Sequence, residues 1–223
     1  MTPYDIYYNP STGSSGDVRR PKVSPDQPSP DPQKIAESLV LLEFVTDLYP
    51  NSTLLPKDPV LRAKARFFID AVSTKFLPAN LAALVRGEPV DGLLQAIEAL
   101  QDLLPTENKG RFAIGDEFTI ADASVAPFFA RMEVALKNDY GAYAQGEGTK
   151  AYQLLQSDPK YARFRKYFSD LKARDSFKST FDEVRCDEIP VSQSTHSSGE
   201  MQQIIKDYYS GRFSALRAQK QNA

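Results

Sequence analysis

RFAIGDEFTIADASVAPFFARMEVAL, residues 111–136, is the stretch on which the reading of the fold turns. It opens as a short turn and runs into a long helix with a strong start signal. Thr119 and Asp122 stand at the spacing of a capping box, with Asp in the position more often held by Glu or Gln. The Thr oxygen is placed to accept the N3 amide, and the Asp carboxylate to reach back to the Thr amide. The acid also suits the positive end of the helix dipole. Behind the cap, Val125, Phe129, Met132 and Leu136 recur at helical spacing, and Ala121, Ala123, Ala126 and Ala130 fill much of the rest. A helix so poor in charge through its first turns is a central one, packed on several sides. Pro127 is expected to bend it.

Working outward, the flanking sequence is helical in both directions. In 34–50, Leu39, Leu42, Val45 or Thr46, and Leu48 or Tyr49 mark one face, and Pro50 with Asn51-Ser52 ends the helix. Asp58-Pro59 is a cap followed by a proline at the first helical position. Leu61, Ala65, Phe68, Ile69, Val72 and Phe76 line the inward face that follows; Pro78 predicts a kink and Gly87 an end. Leu93, Ile97, Leu100 and Leu104 give a third helix, stopped by Pro105. Beyond the central helix, 141–148 reads as a connector and 150–156 as a helix. A second Asp-Pro start at Asp158-Pro159 opens a helix with Tyr161, Phe164, Phe168 and Leu171 inward. Phe177 and Phe181 sit on a short final turn. The pattern predicts a mainly α fold, a helical bundle over about residues 34–182.

The two ends differ in kind. Tyr4, Ile6 and Tyr8 alternate as in one short strand. Residues 1–33 otherwise hold a Ser/Gly run and prolines at 21, 25, 28, 30 and 32, with Ile6, Val18 and Val23 as their only Val, Leu or Ile side chains. A single βαβ unit takes roughly 30 residues or more, so this span is expected to be mostly irregular. Residues 184–199 are polar and Ser-rich, a linker or loop. MQQIIKDYYSGRFSALRAQK, residues 201–220, has Ile204, Ile205, Tyr208 and Leu216 on one side of a further amphipathic helix, which Gly211 weakens.

Composition narrows the classes. The 223 residues carry 27 Lys and Arg against 29 Asp and Glu, a balance that gives no reason to expect nucleic acid or an anionic membrane surface. The sequence shows no apolar run long enough to span a bilayer, and MTPYDIYYNP lacks a signal-peptide core. One cysteine allows no internal disulfide, which suits a reducing compartment, so the expected location is cytoplasmic.

IGDEFTIADA, residues 114–123, resembles the Gly-Asp-x-x-Thr-x-Ala-Asp segment that caps the central helix of the glutathione transferase C-terminal domain. KIAESLVLLEFVTDLYP, residues 34–50, resembles the last helix of the thioredoxin-like half of that family, including its Glu-Ser pair. SPDQPSPDPQKIAES and LLPKDPVLRAKARFFID resemble the fungal omega-like transferases in particular. The resemblance covers about residues 23–181. It implies a truncated thioredoxin-like remnant at 1–33, the last thioredoxin-half helix at 34–50, the C-terminal-like helical domain at 51–183, and a linker with a tail helix at 184–223. It implies glutathione as co-substrate, small hydrophobic molecules as second ligands, and a homodimer. The reaction implied is conjugation of glutathione to small electrophiles, or its removal from adducts. The other reading is a non-catalytic module on the same fold, for ligand binding or protein contact.

The start of the first helix offers free amides and a partial positive charge, a seat for a carboxylate. By resemblance, Ser38 hydrogen-bonds the γ-glutamyl carboxylate of glutathione and Glu37 takes its ammonium group; an ordinary first-turn Glu with a solvated Ser reads the same in sequence. By resemblance too, Phe68, Val72 and Phe76 border the second-substrate pocket, although helix packing explains them equally well. The family's catalytic residue follows the first strand. No cysteine stands there, and Ser11 lies in a stretch without helix signal. Cys186 is crowded by Asp182, Glu183, Asp187 and Glu188, which disfavour a thiolate. Turnover by the chain as written is therefore expected to be weak. His196 has no second ligand at metal spacing, so no metal is expected. The stripe Tyr161, Phe164, Tyr167 and Phe168 reads as core.

Overall fold

The computed structural model describes residues 5–8, 16–19 and 37–181. The first two segments, β1 (Asp5–Tyr8) and β2 (Gly16–Arg19), pair antiparallel, with Ile6 opposite Val18 and Tyr8 opposite Gly16. β1 is the strand that the alternation at Tyr4, Ile6 and Tyr8 predicts. β2 is not predicted by the sequence, because Val18 is its one β-favouring residue. Cys186, His196 and the 201–220 segment lie outside the described residues.

Six helices of two turns or more form the described bundle: α1 (Ser38–Leu48), α2 (Pro59–Ala71), α4 (Asp91–Gln101), α5 (Ile120–Lys137), α6 (Glu147–Ser157) and α7 (Ala162–Ala173). Two short ones, α3 (Leu77–Leu81) and α8 (Asp175–Thr180), complete it. Asp58 caps α2 as its sequence requires, its carboxylate accepting from Val60 N at 2.7 Å and Leu61 N at 3.0 Å, with Pro59 at the first position.

Pro78 does not end the helix it interrupts. Two π-helical segments, Val72–Phe76 and Ala82–Arg86, flank α3, so one continuous helix runs from Pro59 to Arg86. The wider turns take up what proline disturbs in an ordinary helical ladder. Gly87 ends the run in the left-handed region at φ 75°, where an added Cβ would stand 2.7 Å from the Ala142 carbonyl oxygen. Joined this way, the 28 residues are long and apolar enough to cross a membrane by length and composition alone, contrary to the sequence reading. Ala65, Phe68, Val72 and Phe76 nevertheless enter the bundle core, while Lys64, Arg66, Asp70 and Lys75 face outward. That is the pattern of a core helix with one wet side.

The inward faces otherwise follow the sequence pattern, with local exceptions. Leu93, Ile97 and Leu100 are buried, whereas Leu104 lies past the end of α4 and is half-buried. Leu61, expected inward, is 37% exposed. On α1, Thr46 is buried as expected, whereas Leu39 is exposed and Leu41, not on the expected face, is buried. The aromatic core centres on Phe129 of α5. Its ring meets Phe76 and Phe164 edge-on at 5.0 Å, Phe168 at 5.8 Å and Tyr167 at 6.4 Å. Edge-to-face contacts of this kind add about 0.5–1.5 kcal/mol each beyond area burial.

The capping box closes at the start of α5. Thr119 Oγ1 accepts the Ala121 N–H at 3.3 Å, and Asp122 Oδ2 accepts the Thr119 N–H at 2.8 Å. Asp122 does more than the box asks of it. Its Oδ1 accepts the Ala113 N–H at 2.8 Å and the Tyr167 hydroxyl at 2.8 Å, tying the preceding loop and α7 to the helix start. Arg163, one turn before Tyr167, donates to the carbonyls of Pro105 and Gly110 at 2.7 and 3.0 Å, fixing the other end of that loop. The carboxyl is fully buried, and desolvation pushes its pKa up against the opposing effect of its hydrogen bonds.

Asp122→Ala leaves the Ala113 and Thr119 amides and the Tyr167 hydroxyl without their acceptor, and is expected to cost about 3 kcal/mol or more. A pH signature accompanies it. The folded state holds the Asp122 proton to higher pH than the unfolded chain, so this contribution is full below the ordinary carboxylate pKa, about 4, and is lost as pH rises through the raised value. Urea midpoints between about pH 4 and pH 8 should fall for the parent relative to Asp122→Asn, which cannot ionise. Parallel curves for the two proteins would contradict this.

Candidate functional site

The start of α1 offers free backbone donors of the kind an anion requires, as helix starts do. The first intrahelical bond runs from Leu41 N to Glu37 O at 2.9 Å, so the amides of Ser38, Leu39 and Val40 precede the helical ladder. Glu37 is the N-cap residue and makes no side-chain cap. Its backbone sits at φ 78°, ψ 115°, a conformation that a side chain bearing a Cβ rarely adopts. Glu37 and Ser38 are both exposed. A carboxylate and a hydroxyl thus stand side by side at a helix N-terminus, both in water. Sequence reasoning placed the two residues; the strained backbone at Glu37 has no signal in the residue types around it.

α1 is held from behind. Leu41 and Thr46 are buried toward the bundle, and the Thr46 hydroxyl donates back to the Glu43 carbonyl at 2.7 Å. Glu43 and Arg66 of α2 form a two-pronged ion pair, Nε to Oε1 at 2.9 Å and Nη2 to Oε2 at 3.0 Å. The Glu43 carboxylate raises the Arg66 pKa, first through the hydrogen bond and then through charge. Both partners are exposed, so water screens the pair and it serves registry more than stability. The pairing was missed in the sequence because its partners lie 23 residues apart on different helices.

The three apolar positions named for a second substrate are elsewhere in character. Phe68 and Val72 are 2% exposed and Phe76 is 0% exposed, all within the core cluster. Phe76 packs edge-on against Phe129, and Phe68 lies 6.4 Å from Tyr167. Packing accounts for all three, and the structure does not bring them to the surface beside Ser38. The exposed large apolar residues of α2 are Val60 at 61%, Leu61 at 37% and Phe67 at 62%. Among the described residues, no group of three or more His, Cys, Asp or Glu side chains is arranged to hold a metal ion.

The bundle and its capped central helix define a class, and comparison with known proteins agrees. The profile described as glutathione S-transferase, C-terminal domain, matches residues 88–170. Glutathione transferase Omega 1C from Trametes versicolor is 47% identical, with 82% of this chain and 79% of that one superposed at a TM-score of 0.72. Omega 2S from the same organism, solved in complex with 2,4-dihydroxybenzophenone, is 40% identical over 81% of this chain and 80% of that one, at a TM-score of 0.71. The chain belongs to the glutathione transferase family. Among curated relatives, a probable maleylacetoacetate isomerase from Caenorhabditis elegans is 35% identical over 108 residues, which is 44% of this chain and 50% of that protein. The chain spans about half the length of the curated relatives it matches.

Proposed function

We propose that this chain binds glutathione at the start of α1 and acts on small electrophiles or glutathione adducts with weak turnover. The observation that carries the proposal is the juxtaposition of the exposed Ser38 hydroxyl, the leading amides of α1 and the Glu37 carboxylate. The γ-glutamyl end of glutathione is a zwitterion. Its carboxylate suits Ser38 and the helix amides, and its ammonium group suits Glu37. The aromatic ligand held by the Omega 2S relative supports a small apolar molecule as second ligand. Exposed Val60 and Phe67 on α2 support a homodimer. The single cysteine supports a reducing, cytoplasmic setting.

Removing the Ser38 hydroxyl tests the binding half. Ser38→Ala is expected to weaken glutathione binding by about 1.5–3 kcal/mol, the range for a hydrogen bond to a charged group. The unfolding midpoint should not move, since Ser38 is exposed and caps nothing. Calorimetry on both proteins reads it. Equal affinities would assign the Glu-Ser pair a purely structural role.

Weak turnover follows from how little among the described residues would hold the sulfur end. Thiolate chemistry needs a hydroxyl or thiol aimed at the glutathione sulfur from a preorganised position. Cys186 is the chain's one thiol, and its four acidic sequence neighbours disfavour a thiolate. A glutathione anchored only at its γ-glutamyl end keeps an ordinary thiol pKa and loses orientation worth several kcal/mol. A non-catalytic binding role is the second reading, favoured by Phe68, Val72 and Phe76 lying inside the core. Conjugation and deglutathionylation assays on the full chain, beside Cys186→Ser, are expected to show little activity in either. Robust turnover in the parent would overturn the proposal of weak catalysis, and its loss in the variant would identify Cys186 as the nucleophile.

A further inference from the structure

The face of α1 turned away from the bundle mixes apolar and acidic side chains. Leu39, Val40, Glu43 and Asp47 share it at helical spacing. Leu39 and Val40 are 38% and 52% exposed, and Asp47 is exposed as well. From Glu37 to Leu48 there are three acids and no base. Glu43 is committed to Arg66, which leaves Glu37 and Asp47 without an ion pair among the described residues. A helix in a globular protein ordinarily turns its apolar stripe inward. Here Leu41 and Thr46 occupy that side, and two further aliphatic residues remain in water beside the acids.

One other stretch of the chain has the complementary make-up. Residues 201–220 hold Ile204, Ile205, Tyr208 and Leu216 at helical spacing, with Lys206, Arg212, Arg217 and Lys220 set against the single acid Asp207. The chain between Phe181 and Met201 is long enough to reach any face. Twenty residues extend to at most about 70 Å, against a radius of gyration of roughly 15 Å for a bundle the size of residues 37–181.

We propose that residues 201–220 dock on the exposed face of α1, aliphatic side chains against Leu39 and Val40 and basic ones beside Asp47. Apolar burial supplies the drive and opposite charge the register. Tethering raises the effective concentration of the segment well above that of a separate molecule. A second copy packing α1 against α1 is the competing occupant, and charge opposes it, because each helix would bring the unpaired Glu37 and Asp47 to their counterparts.

Zero-length carboxyl-to-amine cross-linking of the full chain, read by peptide mass spectrometry, tests this. The expected links join Lys206 or Lys220 to Asp47 within the monomer, and they are lost in the full-length Ile204→Asp/Ile205→Asp variant. In that variant the α1 amides should exchange about tenfold faster while those of α5 do not change. Links confined to a cross-linked dimer would assign the face to a second copy and overturn the proposal. Absence of links together with unchanged α1 exchange would also overturn it.

Discussion

A single buried carboxylate sets the geometry of the bundle. Asp122 accepts hydrogen bonds from the Ala113 amide, from the Thr119 amide and hydroxyl, and from the Tyr167 hydroxyl, so a loop, a helix start and a distant helix converge on two oxygens. A group this buried is expensive unless its partners are in place, and here all of them are. The arrangement is therefore cooperative: loosening the loop strands the carboxyl, and loosening α7 does the same. The aromatic packing around Phe129 adds attraction, but it is less directional than hydrogen bonds and does not by itself fix where α5 begins.

The candidate site depends on that framework at second hand. The start of α5 reaches the chain between α1 and α2 through the Ile120 amide, which donates to the Leu54 carbonyl at 2.8 Å. α1 in turn presents Glu37 and Ser38 at its outer end, with Leu41 and Thr46 anchoring it from behind. Glu37 itself holds a positive φ, a local strain on the order of 1–3 kcal/mol that the rest of the fold sustains. Function on this reading lies at an exposed end whose position is set by buried groups that never touch a ligand.

Much of this was legible in the sequence, for identifiable reasons. Capping residues and helical periodicity act within a few positions, so Thr119 with Asp122, Asp58 with Pro59, and the stripe through Phe164 and Phe168 could be read directly. What escaped depends on long-range contact. Which side of α1 faces inward is decided by α5 and α2, and nothing in SLVLLEFVTDL distinguishes Leu39 from Leu41 beforehand. Proline at 78 predicts a disturbance of the helix, but the π turns on either side of it leave no signal in the sequence. That Glu37 and Ser38 stand at a helix start was legible because they precede the helical stripe of residues 34–50, which begins at Leu39. The Glu43–Arg66 pair and the Tyr167–Asp122 bond, spanning 23 and 45 residues, leave no local trace.

The central claim is that Asp122 binds loop and helix into one cooperative unit, and native-state hydrogen exchange tests it most directly. The Ala113 and Thr119 amides, both bonded to that carboxylate, are predicted to exchange only through the same global opening that exposes the amides around Phe129. Exchange of those two amides at a much lower free energy, with the middle of α5 still protected, would contradict the account.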